Sequence, residues 1–364
     1  MKIVICVYNL FNGGAERVAS LWANGFSESG NEVTLVIAEK ELLKDYPLNS
    51  KVMIENIWSV GPPILRYLKK ILKLRMILRR QSPDVAIGIM PPWDIWLPLA
   101  AIGSNVKCIN TIHNSFEKYP GIKMKRSEWF HKYIVSRYST ATTVLTNVDK
   151  NIIGGKMRNV FVMPNPLAFK PRYAPKEKEK IILAAGRLDS WYVKGIDVLI
   201  KAWANIACNN PEWKLCIAGR RTGGGGKDDP SYIDKLVTDF NLEKQVLFLG
   251  YQTNMEKFYS KASIFAFPSR YDGFGMSLIE AMSQGCACVS CDFRGRQREI
   301  ITHPDEGLIC NPDDVEMFST SLDRLINDTD LRVRLQKGAY KRSMHYTLGN
   351  SIGRWLKLFK TIGL

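Results

Sequence analysis

The chain has 364 residues, 46% hydrophobic, 24% charged and 10% aromatic, a balance that excludes a disordered tail, a fibrous repeat or a disulfide-stapled miniprotein. At roughly 150 residues per domain, that length predicts two domains, each able to bury its own core. Lysine and arginine number 51 against 35 acidic residues, a net charge of +16 that calls for an anionic partner, and residues 1–170 hold most of the excess, with 23 basic and 12 acidic side chains.

The opening, MKIVICVYNL, lacks a long apolar segment with a small-residue cleavage site and reads as a strand from residue 2, so no export is expected. Short apolar runs then alternate with amphipathic stretches: IVICVY, EVTLVIA, DVAIGIM, VKCINTI and TATTVLT, and in the second half KIILAAG, WKLCIAG, QVLFLG, SIFAFPS and CACVSC. This rhythm predicts an α/β protein with two successive parallel sheets. Pro164-Asn165-Pro166 and the charged APKEKEK from Ala174 to Lys180 read as a solvated linker, placing the boundary near 165–180. The expected divisions are 1–170, 171–345 and a terminal helix over 346–364 packing toward the first domain. The apolar window from Ala86 to Gly103 contains Asp94 and three prolines, which a membrane span rarely tolerates, so it reads as core and loop. Eight cysteines, most within strand-like runs, read as buried hydrophobes in a reducing compartment. Cys286, Cys288 and Cys291 match no zinc spacing. The single low-complexity tract is Gly223 to Gly226.

In open parallel sheets, ligands bind outside the carboxyl ends of the strands, which directs attention to four loops. NLFNGGAE, after the first strand, sets Gly13 and Gly14 before a helix N-terminus, where backbone can approach an anion; a structural tight turn is the plain alternative. His113 ends another strand, where it is either structural or catalytic. In AAGRLDSWYVKG, Arg187 and Lys194 are two cations suited to a diphosphate, or else solvated charges. In SRYDGFGMSLIEAMSQG, Asp272 precedes Gly273-Phe274-Gly275 and a helix from about Met276 that carries Glu280 and stops at Gly285. That helix N-terminus with two carboxylates suits phosphate and hydroxyls together, a grip for a nucleotide sugar.

The D-G-F-G-x-x-x-x-E segment resembles the E-x7-E motif of glycosyltransferase family 4, the retaining GT-B enzymes, with Asp272 in place of the first Glu. NGGAER, the strand-end His113, MPNPL, GRL with the later KG, FLGY and REIITHPDEGLICNPDD extend the resemblance along nearly the whole chain. It implies two Rossmann-like domains across a cleft, with the terminal helix crossing back to the first. It further implies that Arg187 and Lys194 neutralise the donor diphosphate, that Glu280 binds the ribose, and that Asp272 and Gly273-Phe274-Gly275 hold the donor sugar. His113 is implied to contact that sugar, and Gly13 and Gly14 to lie near the diphosphate. Two departures stand out: the shorter Asp272, and the insertion around Trp191-Tyr192 that separates Lys194 from Arg187.

The expected reaction is transfer of a hexose or N-acetylhexosamine from a nucleotide diphosphate sugar, UDP-linked by expectation, to a saccharide acceptor carried on a lipid diphosphate. Fixed cations favour the departing diphosphate, so metal independence is expected and no cofactor is called for. Retention of configuration is implied by the resemblance alone. The span 64–80, ILRYLKKILKLRMILRR, carries seven basic residues within a stretch free of acids. At 100° per residue Arg66, Lys69, Lys70, Lys73 and Arg80 share one face, and Leu65, Leu68, Ile71 and Leu72 the other. This predicts either a docked surface helix or a contact with an anionic membrane. Trp129, Tyr133 and the cations Lys123, Lys125, Arg126 and Lys132 form a second candidate strip. The expected location is the cytoplasm, peripheral to the inner membrane face. A sugar-nucleotide epimerase on the same scaffold is one alternative; a nucleic-acid-binding protein is another, but no recognised module is present, so no nucleic acid is expected.

Overall fold

The computed structural model describes residues 1–11, 13–40, 46–118, 123–221 and 228–364. The expected Gly223–Gly226 tract and Asn12 of the first loop lie outside them. The described chain divides into two compact units: Met1–Ala168 with Leu348–Leu364, and Phe169–Thr347.

The first unit runs β1 (Lys2–Val7), α1 (Gly14–Glu28), β2 (Glu32–Ile37), β3 (Met53–Asn56), α2 (Pro63–Gln81), β4 (Val85–Ile89), α3 (Trp93–Ala101), β5 (Lys107–Thr111), α4 (Arg126–Tyr133), β6 (Ala141–Val144), α5 (Asn147–Ile153) and β7 (Val160–Val162). Its strands form one sheet in the order β3-β2-β1-β4-β5-β6-β7. Every pairing is parallel, with Ile5 opposite Leu35 and Ile87 in the central strands. Helices cover both faces of such a sheet, which is why its central strands are buried along nearly their whole length.

The second unit contains β8 (Glu179–Ala185), α6 (Trp191–Lys194), α7 (Ile196–Ala204), β9 (Lys214–Ala218), α8 (Ser231–Asp239), β10 (Val246–Gly250), α9 (Met255–Lys261), β11 (Ala262–Phe267), α10 (Met276–Ser283), β12 (Ala287–Cys291), β13 (Leu308–Cys310), α11 (Val315–Asn327) and α12 (Thr329–Ser343). Its sheet has the order β10-β9-β8-β11-β12-β13. Trp203, Trp213, Phe318 and the β8, β9 and β11 side chains fill one continuous core. In each sheet the strand order reverses beside the first strand: between β1 and β4, and between β8 and β11. The loops leaving those strands flank the crevice where doubly wound sheets hold ligands.

The last helix, α13 (Leu348–Thr361), packs on α1 within the first unit. Trp22 and Trp355 meet edge to face at 4.9 Å, Phe26 stacks on Phe359 at 5.7 Å, and Trp22 Nε1 donates to Ser351 Oγ at 3.0 Å. Gly25 permits the approach, since a Cβ there would lie 2.8 Å from Ile352.

Three strands escaped the sequence reading. β3, β7 and β13 have three or four residues each, too short for an alternation or an apolar run to register. The APKEKEK segment is also not a free linker. Lys178 donates to the carbonyls of Tyr259 and Gln284, and Glu179 and Lys180 already belong to β8. The window from Ala86 to Gly103 resolves into β4 and the nine-residue α3, with Pro98 inside the helix. Seven of the eight cysteines are buried, Cys208 being exposed, and all are free thiols.

Candidate functional site

In the second unit, the loop after β8 carries Arg187, and α6 ends on Lys194. Arg187 is half exposed, donates through Nη2 to Ser190 Oγ at 3.1 Å and lies 3.9 Å from Asp189. Lys194 Nζ donates to Asp272 Oδ2 at 2.7 Å, and both side chains are mostly covered. Asp272 Oδ1 accepts the Phe274 N–H at 3.2 Å, an Asx turn that opens the loop toward α10. Arg187, Lys194, Asp272 and Gly273-Phe274-Gly275 thus sit on the two loops that flank the β8/β11 reversal.

Glycines set this geometry at two points. Gly195, at φ 66°, passes so close to Pro268 that a Cβ would lie 2.0 Å from its carbonyl oxygen. Gly275, at φ 104°, begins α10, whose N-terminus no side chain caps. Backbone N–H groups at such an end favour an anion. Phe274 is buried, edge-on to Tyr346 at 5.6 Å, so the Gly-Phe-Gly segment is anchored by its ring. Glu280 lies buried on the same helix.

An unforeseen cation fixes the two loops together. Arg270, 4% exposed, donates to both carboxylate oxygens of Asp197 at 2.7 and 2.8 Å, to Asp313 and to the Tyr192 carbonyl. Its own N–H donates to the Val193 carbonyl, and its guanidinium lies 4.2 Å from the centre of the Tyr192 ring. Burial works against its charge, but the hydrogen bonds and charges of Asp197 and then Asp313 outweigh it and hold the pKa above its ordinary value. A charged Arg in the apolar AFPSRYDG run, with an Asp just after the KG turn, was the available signal.

In the first unit, His113 lies just past β5. Its Nδ1 is 3.1 Å from Asn165 Oδ1, its Nε2 is 3.1 Å from Thr111 Oγ1, and the Trp22 ring lies 5.5 Å away. Burial pulls its pKa down to about 4, with the Asn165 hydrogen bond opposing, so the ring is neutral at pH 7. Asn165 within MPNPL escaped the sequence reading as its partner. The depressed pKa makes a prediction: an unfolded His takes up a proton near pH 6.5, whereas this one waits until about 4. Stability present above 6.5 is therefore lost as pH falls through that window, by on the order of 2–3 kcal/mol. Urea unfolding of wild type and His113→Asn at pH 7, 5.5 and 4.5 should show the smaller loss in the variant; parallel losses exclude His113 as their source.

Gly13 and Gly14 also lie in this unit, at the start of α1. The Glu16 side chain folds back so closely that a Cβ on Gly13 would be 1.7 Å from its Oε2. Burial raises the Glu16 pKa. A carboxylate therefore already lies beside this helix N-terminus.

Two sequence expectations need correction here. Lys70 is not on the solvated face of α2: it is buried, donates to the Ala38 carbonyl at 3.0 Å, and sits over the Tyr8 and Trp96 rings at 5.2 and 5.3 Å. Leu74, Ile77 and Leu78 share its buried face, so the helix docks through a face nearly opposite the predicted arc, about 150° from it at 100° per residue. Leu65, Leu68 and Leu72 consequently point outward with Ile64 and Met76, the last 70% exposed. Lys69 and Lys73 donate to the Val60 and Trp58 carbonyls on one flank, and Arg80 pairs with Glu55. The second correction is Lys132, which is buried in contact with the Ser115 and Phe116 carbonyls and Glu128, away from any outer strip. Trp129 on α4 is half exposed. Among the described residues, no helix is long and apolar enough to cross a membrane, and no group of three His, Cys, Asp or Glu is placed to hold a metal ion.

Residues 168–342 match the family described as Glycosyl transferases group 1, and residues 12–167 match Glycosyltransferase Family 4. The N-acetylgalactosamine-N,N'-diacetylbacillosaminyl-diphospho-undecaprenol 4-alpha-N-acetylgalactosaminyltransferase of Campylobacter jejuni is 27% identical, over 94% of each chain. The amylovoran biosynthesis glycosyltransferase AmsD of Erwinia amylovora is 25% identical, over 97% of this chain and 98% of its own. The crystal structure of Anabaena Alr3699/HepE in complex with UDP-glucose superposes with a TM-score of 0.81 at 15% identity, over 99% of this chain and all of that one.

Proposed function

The chain belongs to the group 1 and family 4 glycosyltransferases and has a GT-B fold, and from that premise we propose that it moves a hexose or N-acetylhexosamine from a UDP-linked donor, with retention, to a saccharide on a lipid diphosphate. The observation that carries this reading is the Lys194–Asp272 pair at the β8/β11 reversal, beside Arg187 and the uncapped start of α10. A donor diphosphate laid there meets two cations and the uncapped backbone N–H groups at the start of α10. Charge grows on it as the anomeric bond stretches, so these fixed groups favour the transition state over the ground state. The acceptor oxygen bonds to the anomeric carbon as the bond to phosphate breaks. The electron pair passes to the diphosphate, and the hydroxyl proton to the departing phosphate oxygen. The cations supply the charge that a divalent ion gives in other transferases, which makes the reaction metal-independent. Glu280 binds the ribose, and Asp272 with the Gly273–Gly275 backbone serves the donor sugar.

The relative from Campylobacter, whose name specifies a diphospho-undecaprenol substrate, and the UDP-glucose bound by the structural neighbour support these choices. The test is a panel of nucleotide sugars with a lipid-diphosphate-linked saccharide, scored by nucleotide release and acceptor mass gain in the presence of chelator. Absence of both with every donor refutes the reading.

Such an acceptor requires contact with a membrane, which we assign to α2 at the cytoplasmic face. Its outward leucines, flanked by Arg66, Lys69, Lys73, Arg79 and Arg80, combine an insertable apolar stripe with cations for anionic headgroups. A Leu68→Glu/Leu72→Glu variant should float at least tenfold less with phosphatidylglycerol vesicles than wild type, each buried Leu being worth about 1.5–3 kcal/mol. Because both residues are exposed, its melting temperature should hold. Equal flotation of wild type with neutral and anionic vesicles removes the membrane assignment.

A further inference from the structure

The carboxyl edge of the first sheet holds a second pair of groups that the donor chemistry does not use. Asp94 stands in the first turn of α3, directly after β4, at the β1/β4 reversal where an open sheet accommodates a ligand. Its carboxyl is 2% exposed. His131, near the end of α4, approaches it with Nδ1 2.5 Å from Oδ2. A carboxylate at that distance takes the Nδ1 proton as its hydrogen-bond donor, which leaves Nε2 as the outward ring nitrogen. Nε2 makes no hydrogen bond to the described residues, and the His131 side chain is 23% exposed. Beside it stands the half-exposed ring of Phe130, perpendicular to the imidazole at 6.3 Å between centres.

We propose that Asp94 and His131 form a saccharide-recognition site, in which the His131 Nε2 accepts a hydroxyl of the acceptor sugar while the Phe130 face receives its C–H surface. A fixed proton acceptor next to an aromatic face matches the amphipathic character of a pyranose, which presents hydroxyls at its rim and C–H bonds on its faces. Asp94 is a positioning residue, setting the tautomer and aim of the ring. The site rests on the glycosyl-transfer reading for the identity of its ligand as the acceptor, whereas saccharide binding itself does not depend on it.

The full chain distinguishes these cases through two substitutions at one position. His131→Asn keeps an N–H where Nδ1 meets Asp94 and removes the outer acceptor; His131→Gln restores a polar group near Nε2. In the transfer assay, His131→Asn should raise the acceptor KM by about 10- to 100-fold, with donor KM and acceptor-independent hydrolysis of the nucleotide sugar unchanged within twofold, and His131→Gln should recover part of the loss. Equal losses of transfer and hydrolysis, or a collapse in melting temperature with both variants, establish a purely structural pair and overturn the proposal. Separately, the His131 ring signals in NMR should move with a free N-acetylhexosamine disaccharide and stay still with UDP-N-acetylhexosamine. Signals unmoved by the disaccharide, or moved by the nucleotide sugar alone, overturn it. If no donor is turned over while the disaccharide still binds, the transfer reading fails and the saccharide site stands.

Discussion

Lys194→Met is expected to slow turnover by about 10²- to 10³-fold, the range seen when one fixed charge or donor facing a developing anion is removed. Lys194 is held to Asp272 at 2.7 Å, so its removal has two consequences. The diphosphate loses a cation, and the Asp272 carboxylate, now unpaired, repels it. The second consequence is separable, since in Lys194→Met/Asp272→Asn the repulsion is gone and about tenfold of the activity should return. Residues in direct contact are expected to couple in this non-additive way. Arg187→Ala should cost less than Lys194→Met, because its guanidinium is half exposed and works in higher dielectric. Nucleotide release, measured with each variant's melting temperature as a control for folding, decides the point. Wild-type turnover by Lys194→Met contradicts the proposed chemistry.

How far the sequence reached depended on whether a feature was local. The ten apolar runs, the start of α10 near Met276 and its end before Gly285 can be read from periodicity and glycine placement, both of which lie within a dozen residues. The loops bearing Arg187, Lys194 and Asp272 could likewise be picked out, because a parallel sheet gathers its ligand-binding loops at the carboxyl ends of its strands. Features requiring tertiary partners stayed hidden. A helical wheel shows that α2 has two faces but not which one docks, and Lys70 reversed the expectation by turning its ammonium inward, over the Tyr8 and Trp96 rings and onto the Ala38 carbonyl. Lys132 misled in the same manner. Asp94 and His131 are 37 residues apart, and nothing in either segment announces the other. The Glu16 carboxylate over Gly13 depends on a rotamer that spacing cannot specify.

Arg270 is the largest such omission, and its replacement carries the largest expected loss of stability. Arg270→Met leaves Asp197 buried without its partner, the situation that costs about 3–5 kcal/mol when one member of a buried ion pair is removed. In a unit of this size the melting temperature should drop by roughly 10 °C. Arg270→Met/Asp197→Leu replaces both charges with apolar groups and should recover most of that stability, since the penalty comes from an uncompensated charge rather than from the absence of a bond. Turnover should not recover in parallel. The Arg270 guanidinium also holds the Tyr192 carbonyl and lies against its ring, so the segment ending in Lys194 loses a tether that no apolar pair replaces. Melting curves and nucleotide release on the single and double variants therefore separate the two roles. A double variant as unstable as the single one shows that the fold needs the fork geometry itself, and a double variant with full turnover shows that Lys194 is positioned without it.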